Sequence, residues 1–142
     1  VIAAVDLSGH SDVVADRALQ LAEKLDAGLL LLHSFEVPYF RYGGTGIDFA
    51  YTTEDLRRDS EKAFEVLAAR VRERRPERFE ARFVDGPASA ALLEISEPGD
   101  VVVMGTHGHS GMLRTVLGSQ AYRVVKRSEQ PVLVVPQLDA VE

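Results

Sequence analysis

The chain has 142 residues, of which 46% are hydrophobic and 27% charged, with a formal net charge of −6 at pH 7. That length suits one domain, residues 1–142, which can bury roughly 70% of the unfolded chain's surface and so needs no metal or disulfide to build a core. With no cysteine, disulfide staples, thiolate zinc sites and cysteine nucleophiles are excluded. No apolar run approaches the ~20 residues of a membrane span, and the acidic balance argues against nucleic acid as a partner. No signal-peptide pattern is visible, and the expected location is the cytoplasm.

The first strand is expected at Val1 to Val5. A helix follows, with Ser11 as its N-cap, Val14, Ala18, Leu21, Ala22 and Leu25 on one face, and Gly28 as its stop. Leu29 to Phe35 is the second strand. The connection Glu36 to Thr52, rich in aromatics and glycine, is too long for a simple link; it reads either as a lid or partner surface or as a variable insertion. A long helix from Thr53 to Arg74, capped by Thr52 or Thr53, presents Leu56, Ala63, Phe64, Leu67 and Val71 on one face. The arginines 70, 72, 74, 75 and 78, interleaved with Glu73 and Glu77, read as a solvated helix end.

Phe79 to Val84 alternates with Glu80 and Arg82, the pattern of a half-exposed edge strand. A helix over Ala88 to Glu97 ends at Pro98-Gly99, Val101 to Met104 is the fourth strand, Ser119 to Arg127 the last helix, and Val132 to Val135 the last strand. Strand and helix therefore alternate, and four strands are near-continuously apolar, as in a parallel sheet covered on both faces. The predicted fold is a doubly wound, Rossmann-like α/β domain with a five-stranded parallel sheet in the order 3-2-1-4-5 and helices on both faces. In that order the crevice between strands 1 and 4 is the topological switch point and the expected ligand site.

The segment at that crevice is Gly105-Thr106-His107-Gly108-His109-Ser110-Gly111, followed by Gly118-Ser119 at the start of the last helix. Glycines at a strand end permit tight turns and close approach of a bulky ligand, and successive N–H groups there form an anion-binding concavity. Gly118 and Ser119 are expected to offer free amides and a hydroxyl at a helix N-terminus, where the dipole favours phosphate. Singly, each of these is a turn residue or a cap; the joint spacing G-x2-G-x9-G-S between a buried strand and a helix points to a nucleotide.

That spacing resembles the nucleotide-binding signature of the universal stress protein family, in its ATP-binding branch. The resemblance covers nearly the whole chain, through VIAAVDLS at Val1 to Ser8, LLHS at Leu31 to Ser34, VVVMGTHG at Val101 to Gly108, LGS at Leu117 to Ser119 and PVLVVP at Pro131 to Pro136. It implies an ATP-binding stress-response protein, with adenine and ribose against Ala4, Val5, Asp6, Ser34, Met104 and Gly105. It also implies that Gly108, His109 and Ser110, together with Gly118, Ser119 and Gln120, meet the phosphates; Thr106 and His107 lie within the same motif. The ligand is then ATP, or ADP or AMP, with magnesium or manganese held through the phosphates. A homodimer through the Val132 to Val135 strand and a protein partner that reads nucleotide occupancy are further implications. Two positions depart from the family's commoner residues: His109 stands where many members carry Arg or Lys, so phosphate binding is expected either to be weaker or to depend on pH, and Gln120 replaces a small or aliphatic residue.

Other chemistry is set aside. The histidines 10, 33, 107 and 109 without thiolates make a poor zinc set, Ser110 and Ser119 lack a nucleophile elbow, and no lysine follows the glycines as in a Walker loop. Gly9-His10 resembles half of the paired-histidine loop of nucleotidyltransferases with a related fold, but the other histidine is missing. No catalytic base is assigned; a slow nucleotide hydrolase or phosphotransferase of the same fold is the alternative, with His107 or Asp6 as the first groups to test.

Overall fold

A computed structural model describes residues 1–37, 52–106 and 117–137. Its strands are β1 (Ile2–Val5), β2 (Leu29–Phe35), β3 (Phe79–Asp85), β4 (Val102–Gly105) and β5 (Val132–Val135). Its α-helices are α1 (Ser11–Leu25), α2 (Thr53–Arg74), α3 (Ala88–Ile95) and α4 (Ser119–Arg127). The strands form one parallel sheet in the order β3-β2-β1-β4-β5, as expected.

Alternation along the central strands divides the core in two. Ala3, Val5, Leu29, Leu31 and Val103 face α1 and α2, and pack with Val14, Ala18, Leu19, Phe64, Leu67 and Val71. Ile2, Leu32, Val102 and Met104 face the other way, against Leu92 of α3 and Ala121 and Val124 of α4. Because a strand's side chains alternate between faces, the unbroken apolar runs of β1, of Leu29 to Leu32 in β2 and of Val102 to Met104 in β4 fit strands covered on both faces. β3 alternates half-buried Phe79, Ala81 and Phe83 with exposed Glu80 and Arg82, as befits an edge.

Several local expectations change. Ser11 is the first residue of α1 and not its N-cap; the cap position is His10, which makes no side-chain cap bond. The helix stops at Asp26, not Gly28. Asp26 adopts the left-handed conformation (φ 49°), and the N–H groups of Asp26 and Ala27 return to the carbonyls of Glu23 and Ala22. A short polar side chain tolerates this conformation better than most residues. Leu25 and Ala63, assigned to apolar faces, are exposed. α3 ends at Ile95, two residues early. By contrast, α2 begins on Thr52 with a reciprocal capping box, its hydroxyl accepting from the Asp55 N–H while the Asp55 carboxylate accepts from the Thr52 N–H.

The arginine cluster from Arg70 to Arg78 is more than a solvated helix end. Arg70 pairs with Asp12, and Arg74 pairs with Asp16 at 3.1 Å, joining α2 to α1. Arg75, only 16% exposed, donates to the Ala27 carbonyl at 2.6 Å, and Arg78 binds the Asp26 carboxylate at 2.8 Å. The left-handed turn that ends α1 is thereby clasped to the end of α2. The partners lie 48 to 58 positions apart, beyond any local pattern.

Candidate functional site

β1 and β4 lie side by side, with Ala4 opposite Met104, and the chain leaves them toward opposite sides: β1 into α1, β4 into α4. The carboxyl ends of these strands frame the switch-point crevice. Ala4 and Val5 end β1, and Asp6 follows. One Asp6 carboxylate oxygen, Oδ1, accepts from the Ser8 N–H at 2.9 Å and from the Ser11 hydroxyl at 3.1 Å. The other, Oδ2, is buried and has no hydrogen-bond partner among the described residues. Leu7 stands between them at φ 65°, a conformation that costs a non-glycine residue about 1–3 kcal/mol and is held here by the Asp6 turn. The sequence Asp-x-Ser is the signature of such a side-chain turn, so Ser8 was readable as a support for Asp6. Ser11, drawn away from the cap position, was not.

On the β2 side, the Ser34 hydroxyl donates to the Gly86 carbonyl in a short bond. Gly86 needs its lack of a side chain for φ +107°, and its N–H returns to the Phe35 carbonyl at 2.8 Å. Just before it, Asp85 is gripped by Arg57 of α2 through two bonds of 2.9 and 3.2 Å, with the guanidinium 5.1 Å from the Phe83 ring centre. The hydrogen bond from Arg57 holds the Asp85 carboxyl below its ordinary 3.8. Arg57, Asp85 and Gly86 therefore set the position of Ser34, whose oxygen keeps acceptor capacity while its hydrogen is committed.

On the β4 side, Met104 is buried, and Gly105 and Thr106 are half-buried. The Thr106 carbonyl accepts the Gly118 N–H at 2.7 Å, which corrects the expectation of a free Gly118 amide. A parallel strand feeding a helix through a returning chain closes that bond, and no local rule anticipates it. Gly118 is the N-cap of α4, so the unpaired amides of this helix start belong to Ser119 and the residues after it. The Gln120 side chain turns to α3, where its amide oxygen accepts from the Ser89 N–H at 3.0 Å. His107, Gly108, His109 and Ser110 lie outside the described residues, as do positions 38–51 of the long connection.

His10 is buried, and its Nε2 donates to the Val135 carbonyl at 3.2 Å. His33, also buried, bonds the Val5 carbonyl through Nδ1 at 2.7 Å and packs between Phe64 and Phe83. Both are built into the frame of the crevice. The Gly9-His10 pair therefore holds the edge strand, and its imidazole is not presented to the crevice as in a nucleotidyltransferase.

The crevice thus combines a buried acceptor just after β1 that has no donor among the described residues, a fixed hydroxyl on β2 and a helix start beyond β4. Such a donor set fits an adenine nucleotide: an amine or hydroxyl for Asp6, and phosphate for the α4 amides.

The Universal stress protein family model matches residues 1–136. A universal stress protein of Thermus aquaticus, from the 3′ region of a QAH/OAS sulfhydrylase, is 33% identical over 137 residues, covering 95% of this chain and 96% of the relative. Universal stress protein A homolog 1 of Coxiella burnetii is 31% identical over 145 residues, covering 95% and 94%. Among solved structures, a universal stress protein in complex with cAMP superposes with a TM-score of 0.67 at 24% identity, over 94% of this chain and 93% of that one. The universal stress protein of Archaeoglobus fulgidus in complex with dAMP gives 0.64 at 18% identity, over 94% of each chain.

Proposed function

The chain belongs to the universal stress protein family, and from that premise we propose that it binds an adenine nucleotide, ATP first, and acts as a stress-response regulator whose nucleotide state a partner protein reads. The observation that carries this reading is the buried Oδ2 of Asp6, which has no hydrogen-bond partner among the described residues. A buried acceptor left without a donor costs about 1–3 kcal/mol, which the exocyclic amine of adenine or a ribose hydroxyl recovers on binding. Bound cAMP and dAMP in two structures of the same fold support the same ligand class.

In this reading Ala4, Val5, Asp6, Ser34, Met104 and Gly105 hold the nucleoside. Thr106 and His107 lead to the phosphate grip of Gly108, His109 and Ser110 on one side and Gly118, Ser119 and Gln120 on the other. Gln120 contributes its backbone N–H, since its side-chain oxygen serves α3. Magnesium or manganese would be held chiefly through the phosphates, where it would offset their charge. We assign no catalytic residue. The proposed homodimer forms along β5, whose outer edge is apolar.

Gly118→Val tests the grip. The backbone there, φ −59° and ψ 157°, is open to valine, so the fold is expected to survive with its thermal melt nearly unmoved. The new methyl groups stand beside the α4 amides, and ATP binding is expected to vanish by titration calorimetry. Wild-type ATP affinity in this variant would refute the reading.

A further inference from the structure

Both walls of the crevice are hydrogen-bonded to one atom of the edge strand. The Val135 carbonyl accepts from Nε2 of His10, in the loop between β1 and α1, and from the Thr106 N–H at the exit of β4, each at 3.2 Å. Both lone pairs of that oxygen are thereby taken. From His10 the bonds run back to the site: its N–H donates to the Ser8 hydroxyl at 3.3 Å, and the Ser8 N–H donates to Asp6. From Thr106 they run to the helix start, where its carbonyl accepts from Gly118, and to the chain two residues past β5, where its hydroxyl oxygen accepts the Gln137 N–H at 3.4 Å.

β5 otherwise pairs with β4 alone. A four-residue edge strand held on one side exchanges its amides and shifts more readily than the central strands. Its C-terminal end is pinned by the same groups that shape the crevice.

We propose that His10 is a positioning residue that couples the nucleotide site to the edge strand. Closing Asp6 onto a nucleotide fixes the β1–α1 loop, the loop fixes His10, and His10 holds the end of β5. By linkage the influence is reciprocal, so any partner that pairs along β5 tightens nucleotide binding by the same factor. The inference rests on the nucleotide-binding reading above and goes beyond it by naming the edge strand as the element that responds.

The test uses the full chain as wild type, His10→Phe and His10→Gln, with ATP and magnesium. Titration calorimetry reads affinity, and amide hydrogen exchange reads residues 132–137 with and without saturating ATP. In the wild type, ATP is expected to slow exchange in that segment. In His10→Phe, which fills the space without a donor, affinity is expected to fall about 5- to 10-fold, the size of one hydrogen bond, with the slowing lost. His10→Gln, which keeps a side-chain N–H, is expected to retain most of both, a rescue that simple packing would not produce.

Wild-type behaviour of His10→Phe in both measurements would overturn the inference, as would a His10→Gln variant as impaired as His10→Phe. If His10→Phe fails to fold, the wild type still decides: ATP binding without any change in residues 132–137 overturns the coupling alone. No ATP binding by the wild type overturns the nucleotide reading and the coupling together.

Discussion

Asp6 and Asp85 both stand at the carboxyl end of the sheet, in opposite surroundings. The Asp85 side chain is 63% exposed and engaged through both oxygens by Arg57, whereas Asp6 has one oxygen tied to Ser8 and Ser11 and the other buried with no partner among the described residues. A paired surface carboxylate titrates early and supports structure; a half-satisfied buried one is poised for a ligand. The hydrogen bond from Arg57 depresses the Asp85 carboxyl below 3.8, so its contribution is fully present above that value and is lost as pH falls through the lower, folded one. In Arg57→Ala, a carboxyl-detected NMR titration should find Asp85 back near its ordinary range. Asp55 is the internal control, because its depression comes first from the Thr52 backbone bond and should persist. An Asp85 that still titrates low in the variant would show that Arg57 is not the cause.

The helices begin in three ways. α2 carries its own cap in Thr52 and Asp55, three residues apart and legible at once. α1 begins at His10 without a side-chain cap bond, because the nearby Ser11 hydroxyl serves Asp6. α3 follows Pro87, which offers no side-chain acceptor, and its Ser89 N–H takes the Gln120 oxygen of α4 instead. Gln120 thus supplies α3 with a cap from another helix. Gln120→Leu leaves that half-buried donor without its acceptor and should destabilise the fold by about 1 kcal/mol in urea unfolding. A midpoint and slope identical to wild type would show that the bond contributes nothing.

At the scale of the whole molecule, the two sheet edges differ. β3 carries Glu80 and Arg82 outward, charges that discourage pairing with another strand. β5 carries Val132, Leu133 and Val134, with Leu133 43% exposed. Beside it lies a groove of about 300 Å³ lined by Arg17, Leu21 and Lys24 of α1 together with Leu133. An edge strand whose own four residues are all apolar suits self-pairing. Sedimentation velocity is expected to find the wild type dimeric and Leu133→Lys monomeric at micromolar concentration, with the same far-UV spectrum. A dimer that persists in Leu133→Lys would move the interface elsewhere.

The sheet order, the two-faced core and the location of the crevice follow from the sequence alone. They rest on signals repeated over many residues: apolar runs too continuous for a one-sided sheet, one strand that alternates, and helical spacing between them. Glycine spacing singles out the β4–α4 segment as the proposed phosphate grip. Contacts between groups far apart in the chain were decided only by tertiary structure. Whether Gly118's amide is free, where Gln120 and Ser11 spend their polar atoms, and why His10 is buried depend on partners brought close by the fold. Each is a directed bond between two particular atoms, and a local pattern records one end of such a bond at most. The Asp6 oxygen without a partner among the described residues belongs to the same class, since it depends on how groups far apart in the chain surround it.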